Sequence, residues 1–327
     1  MNKITSFLLL VFLSASCTSE TLLAPVEIDG KWGYINKAGK IVINPQFEEA
    51  WSFKEGLGNI KLGGKWGYID KNGKIVINPQ FDKTWWFQEG LAAIKLGGKW
   101  GYIDKNGKIA IKPQFEYAWY FKEGLAAIEL GGKWGYIDKN GKIAIKPQFE
   151  GARWFQEGLA AIELGGKWGY IDKNGKIVIN PQFDKTWWWF QEGLAAIELG
   201  GKWGYIDKNG KIAIKPQFED AWWFKEGLAR FQLGDKWGYI DKGGEIAIKP
   251  QFDGAGGFQE GLALVEIRDK YGYIDKTGKI VIELQFEGAG YFQEGLAGIK
   301  LGGKWGYIDK NGKMVINPQF EKAGEFN

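Results

Sequence analysis

The sequence predicts an all-β protein made as a tandem array of three-stranded antiparallel units. Three observations carry this expectation. One pattern of 34 residues recurs along almost the whole chain. Within each copy, apolar and polar residues alternate at the two-residue period of a strand. Glycine-centred turn signals punctuate every copy, whereas the 3.6-residue helical period is absent, so no long helix is expected.

The copies are counted from a Trp-Gly dipeptide. It begins at Trp32, Trp66, Trp100, Trp134, Trp168, Trp203, Trp237 and Trp305, and Tyr271 takes the same place in the eighth copy. The spacing is 34 residues, with one spacing of 35 between Trp168 and Trp203. The extra residue falls in Thr186-Trp187-Trp188-Trp189-Phe190, which is Thr84-Trp85-Trp86-Phe87 in the second copy. Residues 23–327 therefore hold nine units, with no sign of a second domain.

Each element of one unit has a local reason. Asp104-Lys105-Asn106-Gly107 suits a type I turn closed by a left-handed glycine. Such a turn sets Ile103 opposite Ile109, Tyr102 opposite Ala110 and Trp100 opposite Lys112. Ile103, Ile109 and Ile111 then share one face. A third strand, Leu91 to Leu96, turns at Gly97-Gly98 into the Trp-Gly strand. Pro113 lacks a ladder donor and is expected to end the second strand. Residues 114–124 then form a longer connection.

A unit of this size leaves an apolar face uncovered, so neighbours must stack. Nine short copies favour an open β-solenoid or superhelix. The alternative is a closed toroid or propeller-like ring, usually four to eight larger blades.

The repeated string Gly-Lys-Trp-Gly-Tyr-Ile-Asp-Lys-Asn-Gly-Lys-Ile, followed by Pro-Gln-Phe and Glu-Gly-Leu-Ala, resembles the bacterial WG-containing, or KWG, repeat family. The resemblance covers residues 23–327. It implies a β-strand repeat of exported and cell-surface proteins, and brings no catalytic residues with it.

Residues 1–17 read as a signal peptide: Lys3 supplies a positive start, Phe7 to Leu13 an apolar run, and Ser14-Ala15-Ser16 small residues. Cys17, the sole cysteine, stands where a lipobox cysteine would be lipidated, and 18–22 form a short tether. Several acyl chains would anchor the chain to a membrane. An exported lipoprotein of the bacterial cell envelope is expected.

Composition removes much of enzymology. There are no histidines and one cysteine, which excludes Ser-His-Asp and Cys-His catalysis, His-ligated metals, disulfide frameworks and all-thiolate zinc. The formal charge of +4 is weak grounds for a nucleic-acid partner, and none is expected. The Asp-Lys-Asn-Gly turn lacks the spaced carboxylates of a calcium loop, and Gly-Gly-Lys-Trp lacks the P-loop spacing. No metal or cofactor is expected. An enzyme is not expected either, although Asp and Glu abound, because every carboxylate motif recurs in several copies.

The aromatic residues fall into two sets. Trp32, Trp66, Trp100, Trp134, Trp168, Trp203, Trp237, Tyr271 and Trp305 keep one fixed place and are expected to be structural. The other ten Trp lie in the loop after Pro-Gln-Phe: Trp51, Trp85, Trp86, Trp119, Trp154, Trp187, Trp188, Trp189, Trp222 and Trp223. The first loop slot reads Trp51, Trp85, Trp119, Arg153, Trp187, Trp222, then Gly256, Gly290 and Gly324. Stacked in register, these loops and Tyr120 would form an aromatic stripe that ends in glycines. Flat rings stack on sugars and anchor protein partners. The expectation is a non-catalytic binding or scaffold surface for a glycan, an envelope polymer or a protein. A structural envelope role without a specific ligand is the main alternative, and an Asp/Glu-dependent glycan hydrolase the lesser one. Lys105, Lys108, Asp104 and Glu123, with their equivalents, read as turn chemistry and a solvated face.

Overall fold

The computed structural model describes residues 22–187 and 189–327. The expected signal peptide with Cys17, residues 18–21 of the expected tether, and Trp188 lie outside the described residues. Among the described residues there are 36 strands and no helix. They form nine four-stranded antiparallel sheets.

The third sheet shows the pattern. Its strands are Lys83–Thr84, Leu91–Leu96, Lys99–Asp104 and Ile109–Phe115. Leu96 faces Lys99 across the Gly97-Gly98 turn, as the sequence implies. Gly107 has a φ of 79°, and its N–H bonds the Asp104 carbonyl at 2.9 Å. Asp104 Oδ1 also accepts the Asn106 and Lys108 N–H groups at 2.9 Å each. The expected turn is therefore present.

Three expectations need correction. First, the unit has four strands. The two-residue strand Tyr117–Ala118 lies inside the expected connection and pairs with Glu129 and Ile128. Second, the last strand runs through Pro113 to Phe115. Tyr102 faces Ile111, not Ala110, and Trp100 faces Phe115, not Lys112; only Ile103 with Ile109 is as expected. Two register shifts make the strand bulge around Pro113, where no ladder donor is needed. The glycine of Trp-Gly makes this possible, because a Cβ on Gly101 would lie 2.6 Å from the Ile111 carbonyl oxygen and the Pro113 nitrogen. Consequently Ile103, Ile109 and Ile111 do not share one buried face: Ile103 and Ile111 are buried, while Ile109 is 38% exposed.

Third, the array is a closed nine-bladed β-propeller, not an open solenoid. The last strand, Lys322–Ala323, pairs with the first, Leu23–Ile28, and completes the first sheet. Leu23 and Asn327 exchange two backbone hydrogen bonds at 3.1 Å. Ile316, Phe320 and Phe326 of the C-terminal end pack with Ala24, Val26 and Ile35 of the N-terminal end. Closure removes the two free faces that an open array would leave at its ends.

The core lies between blades. Tyr102, Ile111 and Phe115 of one blade pack with Phe121, Ala126, Ile128 and Ile137 of the next. The tyrosine two places after each Trp-Gly tryptophan is among its largest fully buried side chains; Tyr102 lies 4.8 Å from the Phe121 ring.

Candidate binding face

The loop slots are held by backbone bonds that do not depend on the side chain. In the third blade, the Trp85 N–H bonds the Ala93 carbonyl at 2.9 Å, and the Trp85 carbonyl accepts the Tyr68 hydroxyl at 2.8 Å. The same tyrosine bond reaches Trp51, Trp119, Arg153, Trp222, Gly256, Gly290 and Gly324. At the slot of the sixth blade, Tyr170 of the fifth blade instead meets the Thr186 hydroxyl. A pinned backbone lets the slot carry Trp, Arg or Gly without altering the fold.

Neighbouring blades bring the rings into contact. In the first slot, Trp51 lies 6.4 Å from Trp85, Trp85 5.7 Å from Trp119, and Trp187 4.2 Å from Trp222. The second slot forms a parallel track. Trp86 lies 5.6 Å from Tyr120, and the steps Tyr120–Trp154, Trp154–Trp189 and Trp189–Trp223 are each 5.1 Å. Trp119 lies 5.5 Å from Trp154 and links the two tracks. Trp189 takes the second slot of the blade that carries the insertion.

The Trp-Gly set joins the same surface. Trp66 lies 4.9 Å from Trp51, and Trp100 and Trp203 stack on Trp85 and Trp187 at 6.3 and 5.7 Å. Arg153 lies over Trp168 at 5.2 Å, where the preceding blade has Trp119 beside Tyr117. Trp66, Trp100 and Trp203 are buried; Trp32, Trp134, Trp168, Trp237, Tyr271 and Trp305 are half-buried.

The structure thus brings together every described residue of the expected stripe: Trp51, Trp85, Trp86, Trp119, Tyr120, Arg153, Trp154, Trp187, Trp189, Trp222 and Trp223. Trp154 is buried, and the others are half-buried. Trp154 apart, they are neither closed core nor free surface. The indole nitrogens of Trp85 and Trp119 are buried without a hydrogen-bond partner among the described residues.

Over the second to fourth blades the tracks edge a cleft of about 450 Å³, lined by Trp51, Trp66, Trp85, Trp100 and Tyr117. Two ion pairs stand at this cleft, Lys61 with Glu49 at 2.8 Å and Lys65 with Asp82 at 2.5 Å. An aromatic floor with a polar rim suits a ligand that has apolar faces and a hydroxylated edge.

The repeated charges have a role the sequence did not reveal. Glu89 has a φ of 53°, left-handed and uncommon outside glycine. Its carboxylate accepts the Gly124 N–H of the next blade at 3.1 Å and pairs with Lys139 at 3.0 Å. Similar pairs join Lys105 to Glu55, Lys173 to Glu123, Lys208 to Glu157 and Lys310 to Glu260. Lys37 with Glu294 spans the closure at 3.8 Å. Burial alone would raise the Glu55 carboxyl. The bond from Lys105 and the Gly90 N–H outweigh it and hold the group below its usual range. These partners are 50 or 51 residues apart along the chain, and 257 apart across the closure, so no local pattern announces them. Among the described residues, no group of three or more His, Cys, Asp or Glu is placed to hold a metal ion.

No curated protein sequence matches the chain significantly. Among solved structures, it is similar to a crystal structure of a eukaryotic initiation factor, with a TM-score of 0.69 and 12% identity, covering 94% of this chain and 98% of that one. It is also similar to dihydro-heme d1 dehydrogenase NirN in complex with DHE, with a TM-score of 0.50 and 14% identity, covering 81% of this chain and 73% of that one. Both likenesses concern the fold alone. The model of the WG-containing repeat matches nine consecutive segments, 32–66, 66–100, 100–134, 134–168, 168–203, 203–237, 237–271, 271–305 and 305–327. Periodic sequence, blade geometry and family match agree, and the chain belongs to the WG-containing repeat family.

Proposed function

We propose that this propeller is a non-catalytic glycan-binding protein of the bacterial cell envelope, exported by its N-terminal leader and anchored by lipid on Cys17. The observation that carries the binding reading is the blade-to-blade contact of rings that, Trp154 apart, are half-buried. It runs from Trp51 to Trp223 and stops where Gly256 and Gly257 begin. Packing alone gives no reason for this end, because the tyrosine bonds hold the slot equally well with glycine. Sugar rings present flat C–H faces that stack on such aromatics, while their hydroxyls meet rim groups such as Lys61 and Glu49. A polymer of several sugars would use several blades together, so weak contacts add along the arc.

The test is retention of residues 18–327 on envelope polysaccharide and peptidoglycan, compared with Trp85→Gly and Trp119→Gly. These changes install the residue that blades eight, nine and one already carry. The proposal expects folded variants with at least tenfold weaker retention, a loss of about 1.4 kcal/mol. Unchanged retention in both variants would refute it. Mass spectrometry of the native N-terminus tests the anchor: an unmodified Cys17 thiol, or an N-terminus beyond it, refutes lipidation.

A further inference from the structure

Four departures from the repeat converge on one point, the seventh-to-ninth-blade junction where the aromatic arc ends. Arg230 stands where four other units carry Ala93, Ala127, Ala161 and Ala196. Gly256 and Gly257 replace both aromatic slots of the eighth blade, and Tyr291 occupies the second slot of the ninth. Together with Trp222, Trp223, Lys225 and Gln259, three of these residues line a cavity of about 110 Å³. Gly257 leaves it open, with no atom within 4 Å of where its Cβ would be.

The chemistry of the cavity is cationic and aromatic. The Arg230 guanidinium lies 3.8 Å from the Trp222 ring centroid and 5.6 Å from that of Trp237. One of its nitrogens donates to the Ala255 carbonyl, and Tyr291 lines the same cavity. A guanidinium has five N–H donors in a planar fork, so donors remain. Lys225 is fixed by a 2.7 Å bond to Gln259 Oε1. Among the described residues, no carboxylate lines the cavity. Asp220 attracts Arg230 electrostatically, but it bonds the Ala221 N–H and the Trp222 indole and forms no salt bridge with the arginine. A partly buried arginine without a carboxylate partner is costly to keep in a fold.

We infer that this cavity is an acid-recognising subsite at the end of the arc, taking the carboxylate of a uronic-acid residue in a glycan chain. The inference rests on the glycan reading above and adds the ligand's charge. Arg230 and Lys225 meet the carboxylate, Trp223 and Tyr291 flank the sugar ring, and the small volume admits one such group, not a chain.

Glucuronate and glucose, titrated by calorimetry into residues 18–327, test it directly. The expected result is glucuronate bound at least about tenfold more tightly than glucose. Arg230→Ala should abolish that preference, and Gly257→Trp should block binding by filling the cavity. Both substitutions restore residues that other units carry at these positions, so the fold tolerates them. Equal binding of the two sugars, binding of neither, or glucuronate binding that survives both substitutions would overturn the subsite. A neutral oligosaccharide separates the two proposals, because its retention should depend on Trp85 and not on Arg230. Glucuronate binding without such retention would count against the arc alone.

Discussion

The hydroxyl of Tyr102 donates to the backbone carbonyl of Trp119, 17 residues further on, at 2.6 Å. The bond ties the buried centre of one blade to the loop that carries the first aromatic slot of the next. Tyr102→Phe keeps the ring packing and removes only this bond. It should cost about 1–2 kcal/mol, since the carbonyl loses its partner. The shift of the urea midpoint measures this.

Gly101→Ala should cost more. Its Cβ would meet backbone atoms of Ile111 and Pro113 at 2.6 Å, and backbone cannot swing aside like a flexible side chain. Destabilisation of about 3 kcal/mol or more is expected, at the upper end of core overpacking. Gly97→Ala, at an open turn, should cost less. Comparing the two midpoints checks the claim.

Removal of residues 321–327 should open the ring. It deletes the pairing of Val26 with Ala323 and Glu27 with Lys322, the bonds between Leu23 and Asn327, and the buried Phe326 ring. Phe326 alone is worth about 3–5 kcal/mol on the scale of buried aromatic truncations. Limited proteolysis should then cut first near Leu23–Ile28. Equal protease resistance of full-length and truncated chains would refute closure as a source of stability.

Stability should fall at both extremes of pH. Burial pushes the Tyr102 hydroxyl well above its ordinary value, and Tyr34, Tyr136 and Tyr205 likewise. Their folded pKa values are raised, so this contribution is whole below the unfolded tyrosine pKa, about 10, and is lost as pH rises beyond it. Ultraviolet titration should show these tyrosines ionising only as the protein unfolds. At the acid end, Glu55, Glu192 and Glu260 are held low: burial opposes the shift, and Lys105, Lys242 and Lys310 outweigh it. The stability from these pairs is present above the unfolded glutamate pKa, about 4.3, and is lost as pH falls through the folded values. Thermal melts between pH 3 and pH 6 follow it.

Elements encoded by neighbouring residues were legible in the sequence: the Gly97-Gly98 turn, the Asp104 to Gly107 turn, and the strands they join. The strand Tyr117–Ala118 was not, because two residues carry no alternation. Pro113 misled because its compensation lies in Gly101, on the neighbouring strand. Ring closure is equally silent, since Lys322–Ala323 reads like any other copy and only its partner, Leu23–Ile28, distinguishes it. The candidate face was legible as a set of slots. Its geometry, and the meeting of Arg230 with Gly257 and Tyr291, required the three-dimensional path of three blades.

Near-identical repeats invite unequal recombination in the gene, which would add or drop whole copies. The seam between Leu23–Ile28 and Lys322–Ala323 makes each such event a question of shape. With one unit fewer, all remaining interfaces would have to turn further before the two ends could meet. The single extra residue between Trp168 and Trp203 is a gentler change, taken up inside one loop while the Gln191 to Leu194 turn beside it keeps its bonds. Selection on the folded protein therefore acts as a proofreader of copy number, tolerant of letters within a unit and strict about the count.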